Sequence, residues 1–508
     1  MADAASPTKI EVTESPNLTF PAANPIDGPP IVYLKGIRLY FIVGALCVAL
    51  FLTNLEVVIV SPSLVAITDD LGGFDRATWI ISAYLLGYVG VVIISAKLSD
   101  ILGRKMILIG SVAIFVLFSA GCGAAQTLTQ LIVCRAFQGV GGAGCFGLGA
   151  IMALELVPDT QYAAFTAFIS VVYSLSLIVG PILGGVINDR TTWRWIFLLN
   201  IPAAMPAILA FLVFIPKGFP YHGSPEMNSG ASKHRFASKN LARIDFIGCA
   251  TLLLATLALV AAVEEAGLSF GWNSAFVIAL LIVSGLLWSV FLFWERRITA
   301  QSEGTSPEPV FPWRFATSRV WIGMLINALF LGAPWSAIVF QLPQRFQVVN
   351  GMSAIGAGIR LLPFTASAPV GSIVTAMLAK QGVPPLYLVI FGSTLQVIGF
   401  ALLGTLDPYD SAISAAQYGY QAMAGLGSGT NISLLALMTP FSVQPRDKAV
   451  AMGAVTQFRV MGGAIGLSVV NTVMHGFLKS KLQGNLPATE LNAFLKSAQA
   501  LAALSSDH

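Results

Sequence analysis

Thirteen stretches of this chain are apolar for long enough to cross the ~30 Å hydrocarbon core of a bilayer. They lie near residues 39–63, 78–96, 107–125, 129–152, 165–188, 195–215, 246–265, 275–294, 320–340, 354–379, 386–406, 413–439 and 449–477. A segment in hydrocarbon must satisfy its own backbone, so each is expected to be an α-helix. Charge supports this. Asp, Glu, Lys and Arg make up 10% of the 508 residues, against about 25% in soluble proteins, too few to coat several water-facing domains. The expected class is an all-α polytopic membrane protein, which excludes a soluble enzyme, a nucleic-acid binder and a secreted disulfide scaffold. The five cysteines are odd in number, lie in apolar runs and lack metal-ligand spacing, so they read as packing residues. No metal and no cofactor is expected, and the surrounding partner is the lipid bilayer.

Polar segments divide the chain. A tail at 1–37 precedes a six-helix bundle at 38–215, and a basic loop at 216–243 follows. Two further spans lie in 244–296, a second loop in 297–319, five spans in 320–477 and a tail in 478–508. With the N-terminus in the cytoplasm, eighteen of the 28 Lys and Arg fall on the inner side, and only Arg76, Arg190, Arg194 and Arg345 fall in outer loops. The positive-inside rule therefore places the N-terminus in the cytoplasm.

The fourth and twelfth spans resemble each other, Arg135-Ala-Phe-Gln138-Gly139-Val-Gly141 matching Gln421-Ala-Met-Ala-Gly425-Leu-Gly427 at an offset of 286. Ala96-Lys-Leu98 and Ala376-Met-Leu378 match at an offset of 280. Two matches at nearly one offset indicate two pseudo-symmetric bundles with two inserted helices, an architecture used for alternating access. The same offset predicts a partner for span 6 near 481–501. That stretch is short and carries Lys481, Pro487, Glu490 and Lys496, so the last span of the second bundle is expected to be missing.

Chemistry inside a membrane rests on polar residues that are costly to place there. Glu56 is the one carboxylate well inside a span, towards the outer half of the first helix. It reads as a protonatable carrier, or alternatively as a structural carboxylate paired with an arginine or capped by Ser61 and Ser63. Arg135, expected at the inner or middle depth of span 4, would tune such a carboxylate or anchor a helix contact. Arg360 and Arg459 are weaker candidates that snorkel or bond carbonyls. Between spans 2 and 3, Asp100, Gly103, Arg104 and Lys105 form a tight turn, and Arg104 reaches towards Glu155. Such contacts would latch an inner gate; the plainer reading is three positive charges holding a loop inside. Gly139, Gly141 and Gly144 mimic a dinucleotide fingerprint but sit in an apolar span with no strand before them, so they read as a close helix contact. Gly180-Pro181 with Gly184 and Gly185 makes a kinked small-residue face suited to packing on the opposite half. Trp79, Tyr84, Tyr173 and Gln421 are candidate cavity walls, with lipid-facing or packing roles as the alternative.

Four of these segments, in order, resemble the major facilitator superfamily, specifically its fourteen-span drug:proton antiporter branch of fungal multidrug and secondary-metabolite pumps. Residues 96–105 are similar to the loop signature Gly-x-Leu-Ala-Asp-x-x-Gly-Arg-Lys, with Ala96 in place of the first Gly. Arg135, Gln138, Gly139, Gly141 and Ala143 match the span-4 signature, and residues 176–185 match the antiporter signature except at Ser176. Trp193-Arg194-Trp195-Ile-Phe197-x-x-Asn200-x-Pro202 resembles the start of span 6. The resemblance implies proton coupling through Arg135 and export rather than uptake. The family usually has Asp, then Thr two residues on, where this chain has Glu56 and Val58. The expectation is thus a monomeric exporter of amphipathic small molecules by proton antiport, not an enzyme, in the plasma membrane or alternatively the vacuolar membrane. The rivals are a proton-coupled importer of a sugar or siderophore and a transport-inactive truncated homologue.

Overall fold

The computed structural model describes residues 33–60, 63–73, 76, 78–220, 242–266, 270–301, 307–348, 350–406 and 413–482. Among these the chain is helical, with two isolated β-bridges, Ile244 to Glu308 and Ala266 to Phe270, and no strand. In the first part lie α1 (Ile37–Ile59), α2 (Leu64–Leu71), α3 (Thr78–Leu102), α4 (Arg104–Gly123), α5 (Leu128–Glu155), α6 (Tyr162–Arg190), α7 (Arg194–Leu198) and α8 (Asn200–Phe214). Next come α9 (Phe246–Glu265), α10 (Ala275–Gln301) and the short α11 (Trp313–Thr317). The last part holds α12 (Arg319–Val348), α13 (Ala354–Arg360), α14 (Leu362–Lys380), α15 (Pro385–Gly404), α16 (Ala416–Met438) and α17 (Lys448–Leu482).

Among the described residues, twelve spans are long and apolar enough to cross a bilayer, counting α7 with α8 and α13 with α14 as one each. The thirteenth, α16, is 23 residues long but less apolar, being rich in Gly, Ser, Thr and Asn. It packs against α14, α15, α6 and α12, so its small and polar side chains face protein and need no lipid-compatible surface. The expected missing partner of span 6, most of the basic loop and most of both tails lie outside the described residues.

Glycine lets the helices of each half approach backbone to backbone. A Cβ on Gly139 of α5 would collide with the Tyr84 carbonyl of α3, and one on Gly425 of α16 with the Phe364 carbonyl of α14. On the other side, Gly141 abuts the Phe115 backbone of α4, while Gly427 abuts Gly392 and Gln396 of α15. Tyr84 and Phe364 are 280 positions apart and Gly139 and Gly425 286, the two offsets of the sequence repeat. The repeat is therefore a repeat of packing, and the glycines serve helix contact rather than a nucleotide.

The inserted helices sit at a seam between the halves. From α3, Trp79 Nε1 donates to Glu265 of α9 at 2.6 Å, and Ser82 donates to Glu264. From α17, Thr472 donates to the Ala266 carbonyl at 3.1 Å, and Ser468 donates to that of Val263. Most of α10 faces outward, with Ile282, Leu286, Val290 and Phe293 exposed, as expected of a helix with one side in lipid.

Candidate functional site

The first helix carries Glu56 into the middle of the N-terminal half, where it is 1% exposed, and Arg135 beside it is 0% exposed. Arg135 Nη1 donates to Glu56 Oε1 at 2.6 Å and to Gln138 Oε1 at 2.7 Å, and its Nε donates to the Ile80 carbonyl at 2.9 Å. Asn200, at the start of α8, donates to Glu56 Oε2 at 2.6 Å. Ser119 accepts from Gln138 Nε2 at 2.6 Å and from Asn200 Nδ2 at 3.2 Å. The guanidinium lies 4.5 Å from the Tyr84 ring centroid and 5.6 Å from that of Phe197, and the Tyr84 hydroxyl donates to the Thr53 carbonyl at 3.1 Å. This is a buried polar island in an apolar bundle, of the kind whose stability depends on its members being partnered; among its guanidinium nitrogens Arg135 Nη2 alone has no hydrogen-bond partner. Glu56 is the sole carboxylate in it among the described residues. The pairing also puts Arg135 at the level of Glu56, two turns into α5, nearer the start of that helix than the inner or middle depth expected from sequence.

One turn of α1 connects this island to a cavity between the halves. Thr53, Asn54 and Val57 line it from α1, Leu85 and Tyr88 from α3, Phe146 from α5 and Tyr173 from α6. The other half contributes Gly332, Trp335, Ser336, Val339 and Phe340 from α12, and Arg459, Val460, Gly463, Ala464 and Leu467 from α17. Tyr173 accepts a hydrogen bond from Trp335 Nε1 at 3.2 Å, joining the walls across the interface. The space is about 80 Å³, well short of the roughly 300–1,000 Å³ of a drug-sized site, so the halves are drawn together around it.

The halves also touch towards both ends of the bundle. At the basic end, Gly103 has φ 100° and breaks α3 from α4, a conformation that only glycine adopts freely. Arg104 then turns back to Asp100 at 2.5 Å and donates to Glu155 at 3.0–3.2 Å. Close by, Lys97 bonds Glu308 at 2.8 Å and Arg243 Nε donates to the same carboxylate at 2.8 Å. Burial pushes Glu308 up, but Lys97 and Arg243 outweigh it and hold the carboxyl below its usual range. Gly453 of α17 faces Ile93 and Ala96 of α3 at this end. At the opposite end, a Cβ on Gly185 of α6 would meet Ile355 at 3.5 Å, and one on Gly358 of α13 would meet Pro181 at 3.4 Å. Arg194 pairs with Asp70 at 2.8 Å while Trp193 Nε1 donates to it at 3.0 Å. The bonds from Arg194 and Trp193 hold the Asp70 carboxyl below its usual value.

The candidates from sequence thus separate. Glu56, Arg135 and Gln138 meet in the island, with Tyr84 beneath the guanidinium. Asp100, Arg104 and Glu155 meet at the basic end, where Gly103 makes the turn. Lys105 leaves that cluster and donates to the Leu212 and Ile215 carbonyls at 2.7 Å, capping α8. Gly180 and Pro181 pack α6 on Val58 of α1 and Gly358 of α13, while Gly184 and Gly185 are buried on the same helix. Tyr173 lines the cavity. Trp79 lies at the α3–α9 contact, and Gln421 is buried in α16 away from the cavity lining. Ser63, considered a cap for Glu56, instead accepts from Asn188 at 2.6 Å, and Arg360 donates to the Gly356 carbonyl at 3.3 Å. Sequence reasoning gave no role to Asn200, Ser119, Phe146 or Trp335. For Asn200 the signal was present in the span-6 pattern; for the others, none was.

A family model described as Major Facilitator Superfamily matches residues 46–269 and 246–467. The chain is 41% identical over 476 residues to the MFS-type transporter FPY5 of Fusarium mangiferae, covering 93% of this chain and 78% of that protein. It is 28% identical over 472 residues to the MFS-type efflux pump MFS1 of Arthroderma benhamiae, covering 92% and 84% respectively. Among solved structures, the proton:xylose symporter XylE superimposes with a TM-score of 0.56 at 13% identity, over 92% of this chain and 99% of that one; at that identity the likeness concerns the fold.

Proposed function

We propose that this chain, which belongs to the major facilitator superfamily, exports amphipathic small molecules in exchange for protons by alternating access. It is a multi-pass integral membrane protein of a transporter family. The observation that carries the reading is the position of Glu56, paired with Arg135 in a sealed island while its neighbours Asn54 and Val57 line the cavity between the halves. Movement of α1 that admits a substrate therefore also moves the carboxylate relative to its arginine and to Asn200. A proton on Glu56 neutralises the attraction to Arg135, and loss of that proton restores it, which makes the cavity's shape depend on protonation. In the state described the halves touch towards both ends. Opening the basic end requires Gly453 to part from Ile93 and Ala96, with the Arg104 cluster as its latch; opening the other requires α6 to part from α13.

Aromatic cavity walls suit amphipathic cargo, and the relative from Arthroderma benhamiae is named an efflux pump. The protein works as a monomer in this reading, in the plasma membrane with its N-terminus in the cytoplasm. The test is transport by proteoliposomes holding the full chain, with amphipathic dyes of both charge signs and an imposed pH gradient. Dye moving against the direction of proton flow is expected. Dye moving with the protons would make the chain an importer, and movement indifferent to the gradient would remove proton coupling.

A further inference from the structure

The cavity contains one charge, and nothing in its wall balances it. Arg459 enters α17 eleven residues after Lys448, which at 1.5 Å per residue is about 16 Å along the helix, near the middle of a ~30 Å core. That is too deep for its side chain to snorkel to water. Its backbone is locked there, because α12 packs Gly332 directly on the Arg459 carbonyl. The guanidinium lies 5.8 Å from the Tyr173 ring centroid and 5.9 Å from that of Phe146, and Arg459 lines the cavity with both rings. No described residue accepts a hydrogen bond from it or pairs with it. The cavity lining includes no Asp or Glu, and Glu56, the nearest carboxylate in sequence to that lining, is turned to Arg135 and Asn200.

A permanent cation at mid-membrane, among ring faces and neutral polar groups with no anion beside it, is costly unless something supplies the anion. We infer that the cargo supplies it: the cavity binds amphipathic anions, aromatic or conjugated acids whose carboxylate, or an oxyanion of like geometry, seats on Arg459 between Phe146 and Tyr173. The guanidinium offers five N–H donors in a fixed fork that matches a carboxylate, while the aromatic walls take the apolar body. An amphipathic cation would meet an unbalanced positive charge at the same place. At about 80 Å³ the closed cavity holds the acidic head alone; the body needs the room created when one end opens.

This inference rests on the export reading for the cavity's being a cargo site, yet binding tests it without transport. Purified full-length protein in detergent is titrated into fluorescein and, separately, rhodamine 123, two dyes of similar ring system and opposite charge, with anisotropy as the readout. Fluorescein is expected to bind at least tenfold more tightly than rhodamine 123. Arg459→Gln is expected to lose at least tenfold for fluorescein alone, and Arg459→Lys, which keeps the charge but not the fork, to lose less than Arg459→Gln. Tighter binding of rhodamine 123, an Arg459→Gln affinity for fluorescein within twofold of wild type, or binding of neither dye would overturn the inference. If fluorescein binds through Arg459 but a pH gradient moves neither dye, antiport fails and the anion site stands. If rhodamine 123 alone is driven by the gradient, antiport stands and the anion site fails.

Discussion

Removing the arginine from the buried island tests whether Glu56 depends on it. Arg135→Gln leaves the Glu56 carboxylate 1% exposed, with Asn200 as its remaining partner, and removes one donor each from the Gln138 and Ile80 oxygens. Breaking one side of a buried pair typically costs about 3–5 kcal/mol, because the other charge stays desolvated and uncompensated. Loss of the contact with the Tyr84 ring adds up to about 2 kcal/mol. Changing Glu56 to Gln as well removes the stranded charge while keeping an acceptor for Asn200, so the double variant should recover at least about 2 kcal/mol over Arg135→Gln. Equilibrium unfolding in mixed micelles with rising SDS gives both differences. An Arg135→Gln protein as stable as wild type would refute the argument, as would a double variant less stable than the single one, since the island would then be held by something other than this pair.

Gly139→Val drives a side chain into the Tyr84 carbonyl, and because both partners are backbone the helices must separate, at a cost of about 1–3 kcal/mol in the same unfolding measurement. Gly110→Ala meets open space and should change stability by no more than about 0.5 kcal/mol; equal effects at the two positions would contradict the packing described. Glu308 sits below its usual range through Lys97 and Arg243, so its contribution to stability is fully present above the ordinary value of 4.5 and is lost as the pH falls through the lowered folded value. Melting of the purified protein from pH 7 to pH 3.5 should therefore lose less stability in Glu308→Gln than in wild type, and parallel curves would show the clamp to be unimportant.

Much of this architecture was written in the sequence. Thirteen spans, the repeat offsets and the Asp100–Arg104–Glu155 cluster were legible because hydrocarbon thickness, backbone contact and tight turns each demand local patterns of residues. Even α16 was found, although its Gly and Ser content follows from being enclosed rather than facing lipid. The convergence of side chains was harder to read. Glu56 meets residues 79 and 144 positions away, and the helices that bring them together are apolar on nearly every side, so their periodicity does not say which face turns inward. For the same reason sequence gives Arg135 an inner or middle depth, and leaves Arg459 either to snorkel or to bond backbone carbonyls. Trp79 takes the packing role that stood beside the cavity one: a tryptophan near a span end serves a cavity, a lipid interface or a neighbouring helix equally well, and here an inserted helix supplies Glu265 as its acceptor.

Coupling through Glu56 is the central claim, and one comparison on one variant tests it most directly. Glu56→Gln proteoliposomes are assayed for dye exchange at equal pH on both sides, then for dye movement driven by a pH gradient. Exchange requires only that the cavity open to each side, whereas accumulation against a gradient requires a group that carries the proton. Retained exchange with loss of gradient-driven movement is the predicted result. Gradient-driven movement that survives Glu56→Gln at the wild-type rate would contradict the account and place the proton on another residue.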